Sequence, residues 1–239
     1  MDIELPVTIL PQPDNATCGP TCLHALLNYH GCRISLEEVI AEIQMLKAGG
    51  TLAVFLACAA LKRGFKATIY TYNLQMFDPS WFDSPDIDLP AKLWAQAQEK
   101  TSNKLKVATQ GYVEFLELGG KLEFVDLTTS LIRGILRQKL PILTGLSATF
   151  LYRDKREYGP KDDHDDIRGT PAGHFVLLNG YHREGRTVLI SDPLAPNPAA
   201  PTQVYPVNID RVICSILLGV LTHDANLLVI QPHKHNNHD

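Results

Sequence analysis

The sequence has no run of basic residues, and its 22 lysines and arginines against 26 aspartates and glutamates give a net charge of −4 with histidine neutral. That balance leaves no electrostatic footprint for phosphate, which argues against nucleic acid as a partner. No window approaches the roughly 18 to 20 apolar residues needed to span a bilayer, so membrane insertion is not expected. The N-terminal stretch carries Asp2 and Glu4 where a secretory signal needs positive charge, and prolines follow at Pro11 and Pro13. A cytoplasmic location is the expectation. No repeat with a period of 20 to 50 residues is present, which removes solenoids and propellers. Cysteine is scarce and odd in number: Cys18, Cys22, Cys32, Cys58 and Cys214 are spread thinly through a chain long enough to bury a core without disulfide staples.

What is present is ordinary for a globular protein, with 45% hydrophobic and 20% charged residues. A single domain over residues 1–239 is expected, with an elaboration at about 73–124 and a frayed tail at about 232–239. Gly19 and Pro20 open an apolar-periodic run that stops at Gly31, which predicts a helix with proline in its first turn. Ser35 and Glu38 form a capping box for a second helix reaching about Leu46. A third follows Gly49-Gly50-Thr51 and ends near Arg63. Phe65 to Tyr72 alternates as a strand, and residues 73–90 read as an ordered loop that packs Met76, Phe77, Trp81 and Phe82 downward. Helices are expected at 91–100, 108–118 and 128–138, the last capped by Thr128, and near Ile209 to Leu218. Strands are expected at 121–125, 140–145, 173–181, 187–192 and 227–231. Helices first and strands later describe an α+β fold.

The stretch Gln12-Pro-Asp-Asn-Ala-Thr-Cys18-Gly-Pro-Thr-Cys22 places Cys18 just before the first helix. Unpaired N–H groups and the positive end of the helix dipole favour an anion there, and the thiolate is the nucleophilic form of cysteine. Gln12, six residues upstream on a proline-stiffened approach, is a candidate to donate to an oxyanion together with the Cys18 N–H. A cysteine nucleophile needs a base, and the base needs a group that orients it. His174 begins the apolar strand Gly-His-Phe-Val-Leu-Leu, and Asp192 closes the next strand. Their 18-residue separation fits two strands joined by a turn at Arg183 to Arg186, with both residues at one end and on one face.

In this order Gln12, Cys18, His174 and Asp192 resemble papain-like cysteine peptidases, and more narrowly the C39 and C39-like peptidases, which include bacteriocin leader-processing enzymes. The Cys-Gly pair, the Gly-His-Phe-Val-Leu strand and the Asp-Pro after the following strand carry the resemblance, over roughly residues 8–72 and 125–195. It implies a papain-like fold, N-terminal helices packed on an antiparallel sheet, and a peptide or protein substrate cleaved through a Cys18–His174–Asp192 triad with Gln12 as oxyanion donor. No cofactor and no metal is required. Thr17 stands where many members carry aspartate, and the transporter spans and nucleotide-binding loop often fused to leader-processing members are missing from the sequence.

Two other readings use the same residues: an acyltransferase or transglutaminase-type enzyme that hands the acyl group to an amine or thiol, and a peptide-binding module without turnover. Cys18 and Cys22, with His24 or Cys32, fall short of zinc-ligand spacing because there is no second tight cysteine pair. Cys22, Cys32, Cys58 and Cys214 are expected in the core. His24, His30 and His182 read as surface or core positions, and His233, His235 and His238 as tail residues able to bind metal only adventitiously. The segment from Arg153 to Arg168 holds 11 charged residues in 16 and leads directly into the His174 strand. Its place in the chain predicts a flap beside the cleft that favours basic or polar peptides.

Overall fold

The computed structural model describes residues 2–47, 49–222 and 224–233. A short strand β1 (Ile3–Glu4) precedes three helices, α1 (Cys18–Tyr29), α2 (Leu36–Glu42) and α3 (Ala53–Lys62), and strand β2 (Phe65–Thr71). A 3₁₀ turn at Pro79–Phe82 leads to α4 (Leu89–Glu99), α5 (Asn103–Glu117), β3 (Lys121–Glu123) and α6 (Thr129–Arg137). Strand β4 (Ile142–Ser147) runs straight into the one-turn α7 (Ala148–Tyr152), and a small hairpin follows, β5 (Glu157–Tyr158) and β6 (Asp163–His164). The remainder is β7 (Gly173–His182), β8 (Thr187–Ser191), β9 (Val204–Asn208), α8 (Ile209–Leu218) and β10 (Asn226–Pro232).

The main sheet runs β3-β2-β10-β4-β7-β8-β9, with β1 added to β7. Its pairings are antiparallel except for β2 with β3, which is parallel. The hairpin β7–β8 changes register between Leu178 and Gly180, so that Asn179 has no partner on β8. Asn179 is instead held by the N-terminal segment: its carbonyl accepts from Leu5 N at 2.7 Å and its side chain donates to Leu5 O at 3.1 Å.

Helix α1 is buried from Cys18 through Leu27. A helix apolar on every side belongs inside, and α1 lies between β7 of the sheet and helices α2 and α3. Leu23, Leu26 and Leu27 are fully buried, worth about 1.5–3 kcal/mol each by area. Gly19 is required by close approach: a Cβ there would lie 2.8 Å from Thr51 Cγ2 and 3.1 Å from Phe175 Cδ2. The first turn of α1 therefore touches the residue next to His174 without spacing.

Several elements differ from the sequence expectation. Ser35 and Glu38 form the capping box, but α2 stops at Glu42 and Ile43 turns extended. Helices α4 and α5 begin earlier than expected because Asp88 and Ser102 cap them. Residues 73–90 bury Met76 and Phe77, with Trp81 and Phe82 packed at the edge of the core. Cys22 and Cys58 are buried, whereas Cys32 is half-buried and Cys214 is exposed. On α8 the buried stripe is Ile209, Val212, Ser215 and Ile216, which turns Cys214 outward. Strand β10 continues to Pro232, and the rest of the expected tail, from 234 onward, lies outside the described residues. His235 and His238 lie outside the described residues. Among those residues, no helix is long and apolar enough to cross a membrane.

Candidate active site

Cys18 is the first residue of α1. No side chain caps this helix and no acidic residue occupies its first turn, so the unpaired N–H groups there remain available to an anion. Thr17, at the cap position, turns its hydroxyl back to Asp14 O at 3.2 Å and braces the loop instead of capping.

The sheet brings the other two residues to this point. His174 lies near the start of β7 and Asp192 just past the end of β8; they are 8% and 0% exposed. His174 Nε2 donates to Asp192 Oδ1 at 2.8 Å. With Nε2 so engaged, Nδ1 is the nitrogen left for the Cys18 thiol, which lines the same cleft and acts electrostatically on the imidazole. Burial alone would push His174 down; the Cys18 sulfur and the Asp192 carboxylate outweigh it and raise the imidazole to about 10. Asp192 is in turn opposed by burial but held at about 2 by His174, Tyr205 and the Leu194 N–H. The arrangement favours imidazolium beside the Asp192 carboxylate.

Asp192 has more partners than the sequence reading gave it. Tyr152 and Tyr205 both donate to Oδ2, at 2.7 and 2.6 Å, and Leu194 N donates to Oδ1 at 3.0 Å. Both tyrosines escaped the sequence reading because their elements did. One-turn α7 is too short to show a period, and Pro206 interrupts the strand pattern of β9, which the structure places at the sheet edge where proline is tolerated.

Two clefts meet at His174. One, of about 370 Å³, is lined by Cys18, Thr51, Phe175, Lys104 and Asp224 among others. The second, of about 300 Å³, has Gln12, Thr149, Tyr152 and Leu194 in its walls. Glu157 and Asp162, from the β5–β6 hairpin, line both, so the charged segment does lie beside the cleft. Gln12 thus shares a wall with His174. Its amide donates to Asp14 O at 2.8 Å, and its backbone N–H bonds to Pro193 O at 2.9 Å, next to Asp192.

The other cysteines contrast with Cys18. Cys22, one turn on, donates to Phe175 O at 3.3 Å, and burial pushes its thiol well up. Burial likewise raises Cys58 to about 12.

Among curated proteins, no sequence matches the chain. Of solved structures, it is similar to a Bacillus anthracis protein described as a C39-like peptidase, with a TM-score of 0.52 at 14% identity, covering 97% of this chain and 98% of that one. It is also similar to xylellain, a cysteine protease from Xylella fastidiosa, with a TM-score of 0.47, 15% identity and coverage of 97% and 85%. A third is a double glycine motif protease from an AMS/PCAT transporter in complex with the leader peptide, with a TM-score of 0.45, 14% identity and coverage of 96% and 94%. The first of these bears out the α+β, papain-like architecture. The sequence profile of the Peptidase_C39 like family matches residues 4–211. The chain therefore belongs to the Peptidase_C39 like family of cysteine peptidases.

Proposed function

We propose that the chain hydrolyses peptide bonds through Cys18, His174 and Asp192, with Gln12 and the start of α1 as oxyanion donors. The observation that carries this reading is the buried relay in which His174 bonds Asp192 through Nε2 and shares its other side with Cys18. The Cys18 sulfur attacks the peptide carbonyl carbon, a C–S bond forms, and the carbonyl electron pair moves to oxygen. Uncapped N–H groups of α1 receive that oxyanion, joined by the Gln12 amide, which has a second N–H beyond the one given to Asp14. His174 passes its proton to the leaving amine as the C–N bond breaks. It then takes a proton from water, which cleaves the thioester and restores the thiolate–imidazolium pair. Asp192 keeps the imidazole in one tautomer and orientation.

In this reading residues 1–239 work as one domain, supported by an apolar core that runs continuously from Leu5 to Ile230. All five cysteines are free, which suits a reducing compartment such as the cytoplasm. The substrate is a peptide or a protein segment that enters the two clefts.

The test is digestion of a peptide library followed by mass spectrometry of the products, with the Cys18→Ala protein as control. Cleavage by the parent and none by the variant is expected. Addition of a free amine separates hydrolysis from acyl transfer, because transfer would yield amide products in place of acids. Alkylation at pH 6 provides a second readout, with exposed Cys214 as the internal reference. Faster modification of Cys214 than of Cys18 would count against the scheme.

A further inference from the structure

We propose that Tyr152 and Tyr205 are positioning residues of this site, locking one oxygen of Asp192 so that the other stays aimed at His174. The inference rests on the reading of Cys18, His174 and Asp192 as the catalytic group. A carboxylate has two equivalent oxygens and a free rotation about its Cβ–Cγ bond. In Asp192 that freedom is removed. Oδ1 accepts from His174 Nε2 and Leu194 N, and Oδ2 accepts from the two phenol groups at 2.7 and 2.6 Å. The backbone is pinned too, since Asp192 N donates to Gln203 O at 2.8 Å and Asp192 O accepts from Gln203 Nε2 at 3.1 Å.

The donors come from different parts of the chain. Tyr152 is the last residue of α7, and Arg153 after it adopts a left-handed conformation with φ of 58°, turning the chain into the charged segment. Tyr205 is on edge strand β9. Among the described residues, the titratable groups that interact with Asp192 include His174 on β7, Cys22 on α1 and the two tyrosines, and Cys18 interacts with His174 and Tyr152.

Phenols suit this task better than cations. A lysine or arginine on Oδ2 would hold the carboxylate, but its positive charge would also oppose the imidazolium on the far oxygen. A neutral O–H stabilises the anion by hydrogen bonding and adds no competing charge. Burial, followed by the Asp192 charge, pushes both tyrosine hydroxyls up, so they stay protonated and remain donors throughout the working range of pH. The ring of Tyr152 also lies 6.1 Å from that of His174, so a Tyr152→Phe variant removes the hydrogen bond and retains the packing.

The test is the titration of the Asp192 carboxyl by carbon NMR in Cys18→Ala protein, with and without Tyr152→Phe, Tyr205→Phe and both. The parent carboxyl should titrate at about 2, each variant should move upward by about one pH unit, and the pair by more. In the active protein the same substitutions should raise the acid limb of kcat/KM and lower kcat while KM changes less than about twofold. A carboxyl titration unmoved in the folded double variant overturns the proposal, as does a loss of melting temperature with an unchanged pH profile. If Tyr205→Phe does not fold, the half-buried Tyr152 carries the test alone. The NMR arm needs no turnover, so a protein that cleaves no peptide would sink the peptidase reading and leave this one decided on its own data.

Discussion

His174 Nε2 and Asp192 Oδ1 stand 2.8 Å apart with almost no access to water. Truncation of Asp192 to alanine would strand the imidazole, two tyrosine hydroxyls and the Leu194 N–H together. Removing one partner of a buried ion pair costs about 3–5 kcal/mol. Asp192→Ala should therefore lower the melting temperature by many degrees and reduce kcat/KM by about 10⁴-fold, read by circular dichroism and peptide cleavage. Near-parent activity in this variant would refute the assigned role.

The same pair sets a pH signature. His174 is held at about 10, above its ordinary value of 6.5, despite burial that opposes its charge. A basic group raised in the folded state contributes stability that is complete below its unfolded value and is lost as pH rises through the folded one. Melting temperature should decline as pH climbs from about 6.5 toward 10, and this decline should be reduced in His174→Gln. A decline of equal size in both proteins would assign it to another group.

Asp224 predicts the opposite kind of titration for a carboxylate. Burial is the largest influence on it and outweighs the Ala53 N–H and Lys104, so the carboxyl rises to about 6. A raised acid favours folding while protonated, and that contribution fades as pH rises from about 3.8 through about 6. At 1.36 kcal/mol per unit the loss is about 3 kcal/mol. Asp224→Asn keeps an acceptor for Ala53 N and has no charge to desolvate. It should gain melting temperature over the parent at pH 7.5 and show no gain at pH 4.

Gly19 controls how closely the start of α1, with Cys18, approaches the strand that bears His174. Its missing Cβ would meet Thr51 and Phe175 inside normal contact distance. Gly19→Ala should cost about 1–3 kcal/mol of stability through overpacking. It should also cut kcat at least tenfold, because the start of α1 must move off the strand that bears His174. Parallel chemical denaturation and kinetics would show whether the two losses occur together.

Glu157 and Asp162 give both clefts an acidic border. In the double variant Glu157→Gln/Asp162→Asn, kcat/KM for peptides with lysine or arginine near the scissile bond should fall about fivefold, with uncharged peptides unaffected. Equal change for both peptide sets would remove the hairpin from substrate selection.

Much of this site was legible because its parts obey local rules. Gly19-Pro20 and Gly31 bracket α1, Ser35 and Glu38 cap α2, and the apolar runs around Arg183 to Arg186 fold back as a hairpin. The helix start and strand contexts of Cys18 and His174 follow directly. Longer-range facts did not show. Tyr152 and Tyr205 reach Asp192 across 40 and 13 residues of chain, and nothing in their neighbours announces a hydrogen bond. Cys214 was misread because α8 rotates its buried stripe onto Ser215, a polar residue that satisfies itself by donating to Arg211 O. The engagement of the Gln12 amide with Asp14 O depends on loop geometry that spacing does not encode.

Asn179, which has no partner on β8, decides on which face of the sheet Asp192 lies relative to His174. Beyond it, Leu177 faces Ser191, so Asp192 falls opposite Val176, on the same side of the sheet as His174. Had the register of Gly180 with Leu189 continued, Asp192 would oppose Leu177 and point to the reverse face. Drawing Asn179 into the ladder, with no change of sequence, would keep both strands and still leave Asp192 and His174 on opposite sides of the sheet. The contact with Leu5 that holds Asn179 out of the β8 ladder therefore makes the N-terminal segment a guardian of the alignment between His174 and Asp192.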